Sequence, residues 1–155
     1  MEKLKIGNNL PAFSSTDQNE KTINSDALIG KKTVVYFYPK DNTPGCTAQA
    51  CNIRDNYEVL LSNDIQIIGI SADSLKSHQS FSNKYELPFS LILDESKEII
   101  QLFGVWGTKK FMGKVYDGIH RTTFLFNEEG KLISLIEKPN TKNHVEEILK
   151  EFGIS

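Results

Sequence analysis

Thr33-Val-Val-Tyr-Phe-Tyr38 is followed at once by Pro39 and then by Asp41-Asn-Thr-Pro-Gly-Cys46. The first run is β-branched and aromatic throughout, with apolar side chains on both faces. That pattern suits a central strand buried on both sides better than a one-sided sheet. Pro39 ends it, and the Asp-Asn-Thr-Pro-Gly stretch is turn chemistry. A helix then starts, with Thr43 as N-cap and Pro44 at the first helical position, which places Cys46 in the first turn. Ala50, Ile53, Tyr57, Leu60 and Leu61 recur at helical spacing and predict a helix running to about Ser62. A strand, a turn and a helix with a thiol at its start is the local order expected at the carboxyl end of a sheet, where α/β proteins gather their sites.

The rest of the chain alternates in the same way. Residues 11–16 and 20–24 predict a short hairpin or loop bent at residues 17–20. Residues 65–71 read as a second buried strand, 74–85 as a polar helix, 89–93 as a third strand and 96–103 as a short helix. Residues 104–118, with four glycines and a tryptophan, read as a loop. Residues 122–126 and 132–136 pair as a hairpin, and residues 141–152 close the chain as a helix. Strands alternating with helices imply right-handed crossovers and helices on both faces of a mixed sheet. A βαβ half followed by a ββα half is the layout of a thioredoxin-like fold. No linker divides the 155 residues, so one domain over 1–155 is expected.

Composition removes several function classes. The net charge of −2 offers no basic excess for nucleic acid. No run approaches the ~20 apolar residues of a membrane span, and the start at Met1 has no apolar signal core. Two cysteines are too few for a disulfide scaffold, and the three histidines match no zinc-finger spacing. Thiol chemistry is the remaining reason for the cysteines to matter. At the helix start, free backbone N–H groups and the macrodipole favour Cys46 as thiolate, and Gly45 allows a small substrate close to the backbone. Helical phase alone favours a buried, inert Cys46 on the face of Ala50, Ile53 and Tyr57; the cap, turn and strand-end position reverse that. Cys51 lies about 140° further round the helix, on a face with Thr47, Asp55 and Glu58 that predicts exposure. In an intact helix the two Cα atoms stand ~8–9 Å apart, beyond the ~7 Å that a disulfide spans. The pair is then either two unrelated thiols or a reactive and a resolving thiol coupled by local unwinding. A general disulfide oxidoreductase would use Cys-x-x-Cys, which this chain lacks. A non-catalytic binding module on the same fold stays open at this level.

The segment Tyr36-Phe-Tyr-Pro-Lys-Asp-Asn-Thr-Pro-Gly-Cys-Thr-Ala-Gln-Ala-Cys51 resembles the active-site segment of peroxiredoxins, in the bacterioferritin-comigratory-protein and peroxiredoxin Q branch. That family's Pro-x-x-x-Thr-x-x-Cys falls on Pro39, Thr43 and Cys46, and its resolving cysteine on Cys51. Gly7-Asn-Asn-Leu-Pro-Ala-Phe13, Leu87-Pro-Phe-Ser-Leu, Gly104-Val-Trp-Gly and Gly118-Ile-His-Arg-Thr-Thr-Phe recur in the family's order, the last carrying its active-site arginine as Arg121. The resemblance implies a thiol peroxidase for hydrogen peroxide and organic hydroperoxides. In it a Cys46 sulfenic acid condenses with Cys51, and thioredoxin or a similar dithiol protein reopens the disulfide. Arg121 would favour the thiolate and hold a peroxide oxygen, Thr43 would orient thiolate or peroxide, and Pro39 would shield the site. No metal, flavin or haem is implied, and the expected setting is a cytoplasmic monomer. The branch commonly has Glu where this chain has Gln49, and an acidic residue where it has Ala12. His120 reads as structural or exposed, and Trp106, Phe111 and Tyr116 as loop packing rather than a substrate pocket.

Overall fold

A computed structural model describes residues 3–154; Met1 and Glu2, on which the expectation about the chain start partly rests, and Ser155 lie outside them. Five strands form the main sheet: β3 (Lys32–Phe37), β4 (Ile65–Ser71), β5 (Ser90–Leu93), β8 (Thr122–Phe126) and β9 (Leu132–Ile136), in the order β5-β4-β3-β8-β9. β3, β4 and β5 run parallel, while β8 and β9 are antiparallel to their neighbours. Two short strands, β1 (Ser14–Thr16) and β2 (Thr22–Asn24), pair at the N-terminus and meet β5 through a bridge from Asp17 to Ile92.

β3 carries the centre of the core, as its unbroken apolar run requires. Val34 and Tyr36 face one layer with Cys46, Ala50, Ile53, Leu60, Phe81, Val145 and Ile148. That layer holds α1 (Pro44–Asp55), α2 (Tyr57–Ser62), α3 (Leu75–Tyr85) and α5 (His144–Glu151). Val35 and Phe37 face the other layer, with Ile99 and Ile100 of α4 (Glu98–Leu102) and a 3₁₀ turn at Ser25–Leu28. The sheet is therefore mixed and flanked by helices on both faces, the expected thioredoxin-like layout. The ring of Tyr36 lies across Gly69 of β4; a Cβ there would stand 2.8 Å from the ring, so only glycine fits.

Three expectations need correction. Residues 104–118 contain a two-stranded hairpin, β6 (Trp106–Phe111) and β7 (Lys114–Ile119), rather than a loop. It pairs only with itself and stands largely in solvent, so it never acquires an apolar face to betray it in the sequence. Its turn is Met112-Gly113, with φ of 50° and 79°; Met at a positive φ is an unusual turn residue and gives no signal. The helix beginning at Pro44 does not continue to Ser62. It breaks at Asn56, where φ is −115° and the side-chain amide donates to the Asn52 carbonyl at 2.8 Å, taking the place of regular helix geometry. α4 and α5 are shorter than expected at both ends.

Behind the loop at residues 38–46 sits a buried polar lattice. Asp41 accepts from the Tyr38 hydroxyl at 2.6 Å, from Ser77 at 2.9 Å and from His78 Nδ1 at 2.7 Å. His78 Nε2 faces the Ile92 carbonyl at 3.0 Å, so acceptors sit on both ring nitrogens, an arrangement that suits the imidazolium form. The Asp41 backbone N–H donates to Asp73, which also accepts from Ser71. Burial pulls His78 down, but the hydrogen bond and charge of Asp41 outweigh it and hold the imidazole above its ordinary value. A raised folded value means that this stabilisation is complete below the unfolded value of about 6.5 and is lost as pH rises through the folded one. His78→Gln should cost about 3 kcal/mol or more and flatten that alkaline loss. Urea unfolding of both proteins at mildly acidic and mildly alkaline pH measures it. Equal stability and equal pH dependence would place the fixed charge elsewhere.

Candidate active site

Antiparallel pairing sets Thr122 of β8 opposite Phe37 of β3. Arg121, one residue earlier, therefore lies just past the carboxyl end of β3, where the chain turns into residues 39–46. The same turn delivers Pro44 and Cys46 to the start of α1. Residues 75 apart in the sequence thus converge at one corner of the sheet, and Arg121 Nη2 stands 3.3 Å from Cys46 Sγ. Cys46 is 2% exposed. Its thiol lies in the first turn of α1 and faces the permanent cation of Arg121.

The guanidinium has a second contact: Nη1 donates to Gln49 Oε1 at 2.7 Å. Cys46 and Gln49 are three residues apart on α1, so one planar fork clasps both across the first turn. Gly45 gives room for it, since a Cβ there would meet Nη2 at 3.2 Å. The absent side chain at residue 45 therefore admits Arg121, where the sequence suggested a substrate. Gln49 is fully buried, and its Nε2, like the Tyr36 hydroxyl, has no hydrogen-bond partner among the described residues. Sequence reading noted Gln49 only as a replacement for Glu; its spacing from Cys46 was the available signal.

Thr43 takes the N-cap position, with Pro44 following, but its side chain does not cap the helix. The hydroxyl donates to the Lys40 carbonyl at 2.9 Å and so braces the turn. Asn42, with a φ of 59°, bends the loop back and accepts from the Tyr85 hydroxyl. Pro39 is half-buried two residues beyond β3. Cys51 is also half-buried, less open than its helical face suggested, and both cysteines are free thiols. Its neighbour Asn52 explains the partial cover: the amide donates to the Lys142 carbonyl and accepts from the Val145 N–H, tying α1 to the start of α5.

Lys109 adds a second cation nearby. It donates to the Ile119 carbonyl at 2.9 Å, and burial, then the charge of Arg121, lower its basicity. An open recess of about 430 Å³ beside Arg121 is lined by Lys109, His120 and Lys138 among others. His120 is half-buried with its ring against Gly107. Trp106 packs on the core under Lys97, as expected of loop packing, but Phe111 and Tyr116 are 65% and 47% exposed and pack on little. The larger groove of about 650 Å³, between the β2 side and residues 87–90, contains none of the candidate site residues. Asp41, Asp73 and His78 bring ligand-type atoms within 4.8 Å of one another, yet those atoms are engaged in the lattice described above, which leaves no free donor set for a metal. No helix among the described residues is long and apolar enough to cross a membrane.

Comparison with known proteins gives the family. Residues 6–134 match the model of the AhpC/TSA family. The chain is 43% identical to peroxiredoxin Bcp of Escherichia coli over 149 residues, covering 96% of each. It is 42% identical to peroxiredoxin Bcp of Bacillus subtilis over 147 residues, covering 95% of this chain and 94% of the other. Among solved structures, the bacterioferritin comigratory protein of Xanthomonas campestris, determined in a study of its alkyl peroxide reduction, superposes with a TM-score of 0.85 at 30% identity, over 91% of this chain and 90% of that one.

The Arg121–Cys46 contact makes a quantitative expectation. A hydrogen bond to a charged group contributes about 1.5–3 kcal/mol, roughly a ten- to hundredfold effect on a reaction that depends on it. Arg121→Gln should slow the reaction of Cys46 with hydrogen peroxide by about that factor, read by stopped flow in a Cys51→Ser background. An unchanged rate would place Arg121 outside the thiol's reactive surroundings.

Proposed function

Because this chain belongs to the AhpC/TSA family, as a peroxiredoxin of the Bcp group and thus a peroxidase, we propose that Cys46 is its peroxide-reducing thiol and Cys51 its resolving thiol. The observation that carries the reading is Arg121 Nη2 at 3.3 Å from Cys46 Sγ at the start of α1. The substrates are hydrogen peroxide and organic hydroperoxides. The Cys46 thiolate attacks the terminal peroxide oxygen, an S–O bond forms, and the O–O bond breaks. Electrons pass from sulfur to the peroxide, and the departing oxygen takes a proton and leaves as water or alcohol. Arg121 neutralises charge on the reacting oxygens, which grows as the O–O bond lengthens. Pro39 limits water at the thiol. Thr43 acts mainly by holding the turn, its hydroxyl being engaged by Lys40.

The product is Cys46 sulfenic acid. The Cys51 thiolate then attacks its sulfur and expels hydroxide, which leaves as water, and a disulfide forms. Thioredoxin or a similar dithiol protein returns both thiols by exchange. A cytoplasmic setting accords with this cycle, because such dithiols are kept reduced there. Both thiols lie on α1 of a single-domain chain, so a monomer is sufficient.

Cys46→Ser should abolish turnover of hydroperoxides driven by thioredoxin. Cys51→Ser should reduce one equivalent and then accumulate sulfenic and sulfinic acid. Retained turnover in the first variant removes Cys46 from the chemistry; absence of oxidised adducts by mass spectrometry in the second removes Cys51 as resolver.

The reading also requires motion. Cys46 and Cys51 share the unbroken helix α1, ~8–9 Å apart at Cα by helix geometry, so a disulfide between them forces its first turns open. Opening undoes the Arg121 fork and loads the Asn52 tie to α5. Amide hydrogen exchange should lose protection over residues 46–54 on oxidation, while β3 stays protected. Equal protection in both forms would require an intermolecular disulfide instead.

A further inference from the structure

We infer that Gln49 is a positioning residue of the Cys46 site: its amide oxygen holds Arg121 against the thiol while leaving the guanidinium's charge uncompensated. The inference rests on the thiol-peroxidase reading above and adds a residue which that reading does not use.

Arginine only donates, so the face of the Gln49 amide that meets Nη1 at 2.7 Å must be its oxygen. Nε2 is then left buried without a partner among the described residues. A side chain there for packing alone would not bring a stranded N–H into the core, and an apolar residue of similar size would avoid it. What the amide supplies is an acceptor for Arg121. The guanidinium ends a long side chain with several rotors, and its hydrogen bonds among the described residues go to Cys46 and Gln49 only. No carboxylate pairs with it among those residues. Without Gln49 the fork has one anchor, the thiol itself, and its aim at Sγ is no longer set in advance.

The neutrality of the anchor matters as much as its position. A carboxylate at residue 49 would accept the same bond but pair with the cation and place a negative charge one helical turn from the thiolate. The titratable and charged groups facing this pocket are Cys46 and Cys51 from α1, Tyr36 from β3, Asp41 from the loop after it, Lys109 from β6, His120 beside Arg121, Lys3, Glu137 and Lys138 along the adjoining recess, and His144 of α5 with its partner Glu147. Burial holds the Tyr36 hydroxyl well above its ordinary value, so it stays protonated, and holds His144 below its ordinary value. None of these changes between the wild type and a variant at residue 49, so a shift between their pH profiles reports the new charge.

The test is the single-turnover rate of hydrogen peroxide reduction by the full chain, followed over about pH 5 to 9. Gln49→Glu should displace the midpoint of the pH–rate profile upward by about one unit, with a plateau within about threefold of wild type. Gln49→Met keeps the bulk and removes the acceptor; its plateau should fall about tenfold at every pH. If Gln49→Met does not fold by circular dichroism, Gln49→Asn, whose shorter side chain withdraws the oxygen, takes its place with the same expected loss. A profile of either kind that superposes on wild type overturns the inference. Failure of the wild-type chain to consume peroxide would instead overturn the peroxidase reading, so the two failures are distinct.

Discussion

A single guanidinium joins the two halves of this molecule at its chemically active corner. Arg121 comes from the edge of the antiparallel half, and Cys46 and Gln49 from the helix that follows the parallel half. The contact is possible only because β8 runs antiparallel to β3, which brings the residue before β8 to the end of β3 rather than to the opposite rim. Gly45 then lets the cation reach the helix start. A charge-assisted bond in a setting where the thiol is nearly sealed from water is stronger than the same bond at the surface.

The corner has to be rigid in one redox state and open in another. In the reduced chain, rigidity comes from three directions. The Asp41 lattice fixes the loop from behind, Thr43 braces the turn, and Asn52 ties α1 to α5. Of these, the lattice is buried at its centre, Tyr38, Asp41, Ser71 and His78, and involves none of the residues that must move. The Arg121 fork grips Cys46 and Gln49, and Asn52 follows Cys51 directly, so both ties lie in the turns that must yield. The break at Asn56 lies just after that segment. α2 and its buried Leu60 can therefore stay packed on β4 while the first turns of α1 unwind, which limits the cost of opening to a few backbone bonds and the burial of one face.

The hairpin β6–β7 stands apart from these layers. Its base lies beside Arg121 through Ile119 and His120, and Lys109 reaches back toward the site. Its tip carries Phe111, Met112 and Val115 in solvent. The hairpin is held by its own ladder and by Trp106 on the core, so its outer half contributes little to stability and its composition is free of the burial that shaped the rest.

The sequence alone was enough for the layer order, the central strand, the helix start at Pro44 and the thiol at its first turn. Each follows from short-range rules: apolar runs for doubly covered strands, Pro at the first helical position, and 3.6-residue spacing for the packed face. The Pro-x-x-x-Thr-x-x-Cys spacing and the distant Gly-Ile-His-Arg segment also identified Arg121 as a partner by resemblance. What it did not contain was the third dimension of those partners. Whether the Thr43 hydroxyl faces the thiol or the Lys40 carbonyl depends on a rotamer set by the loop. The Asp41–His78 pair joins residues 37 apart that no local pattern links. The β6–β7 hairpin, lacking a buried face, has no periodicity to read. Gln49 looked like a lost charge until Arg121 was seen to rest on it, because a hydrogen bond between residues 72 apart is decided by how β8 pairs with β3 and by nothing in the neighbourhood of either residue.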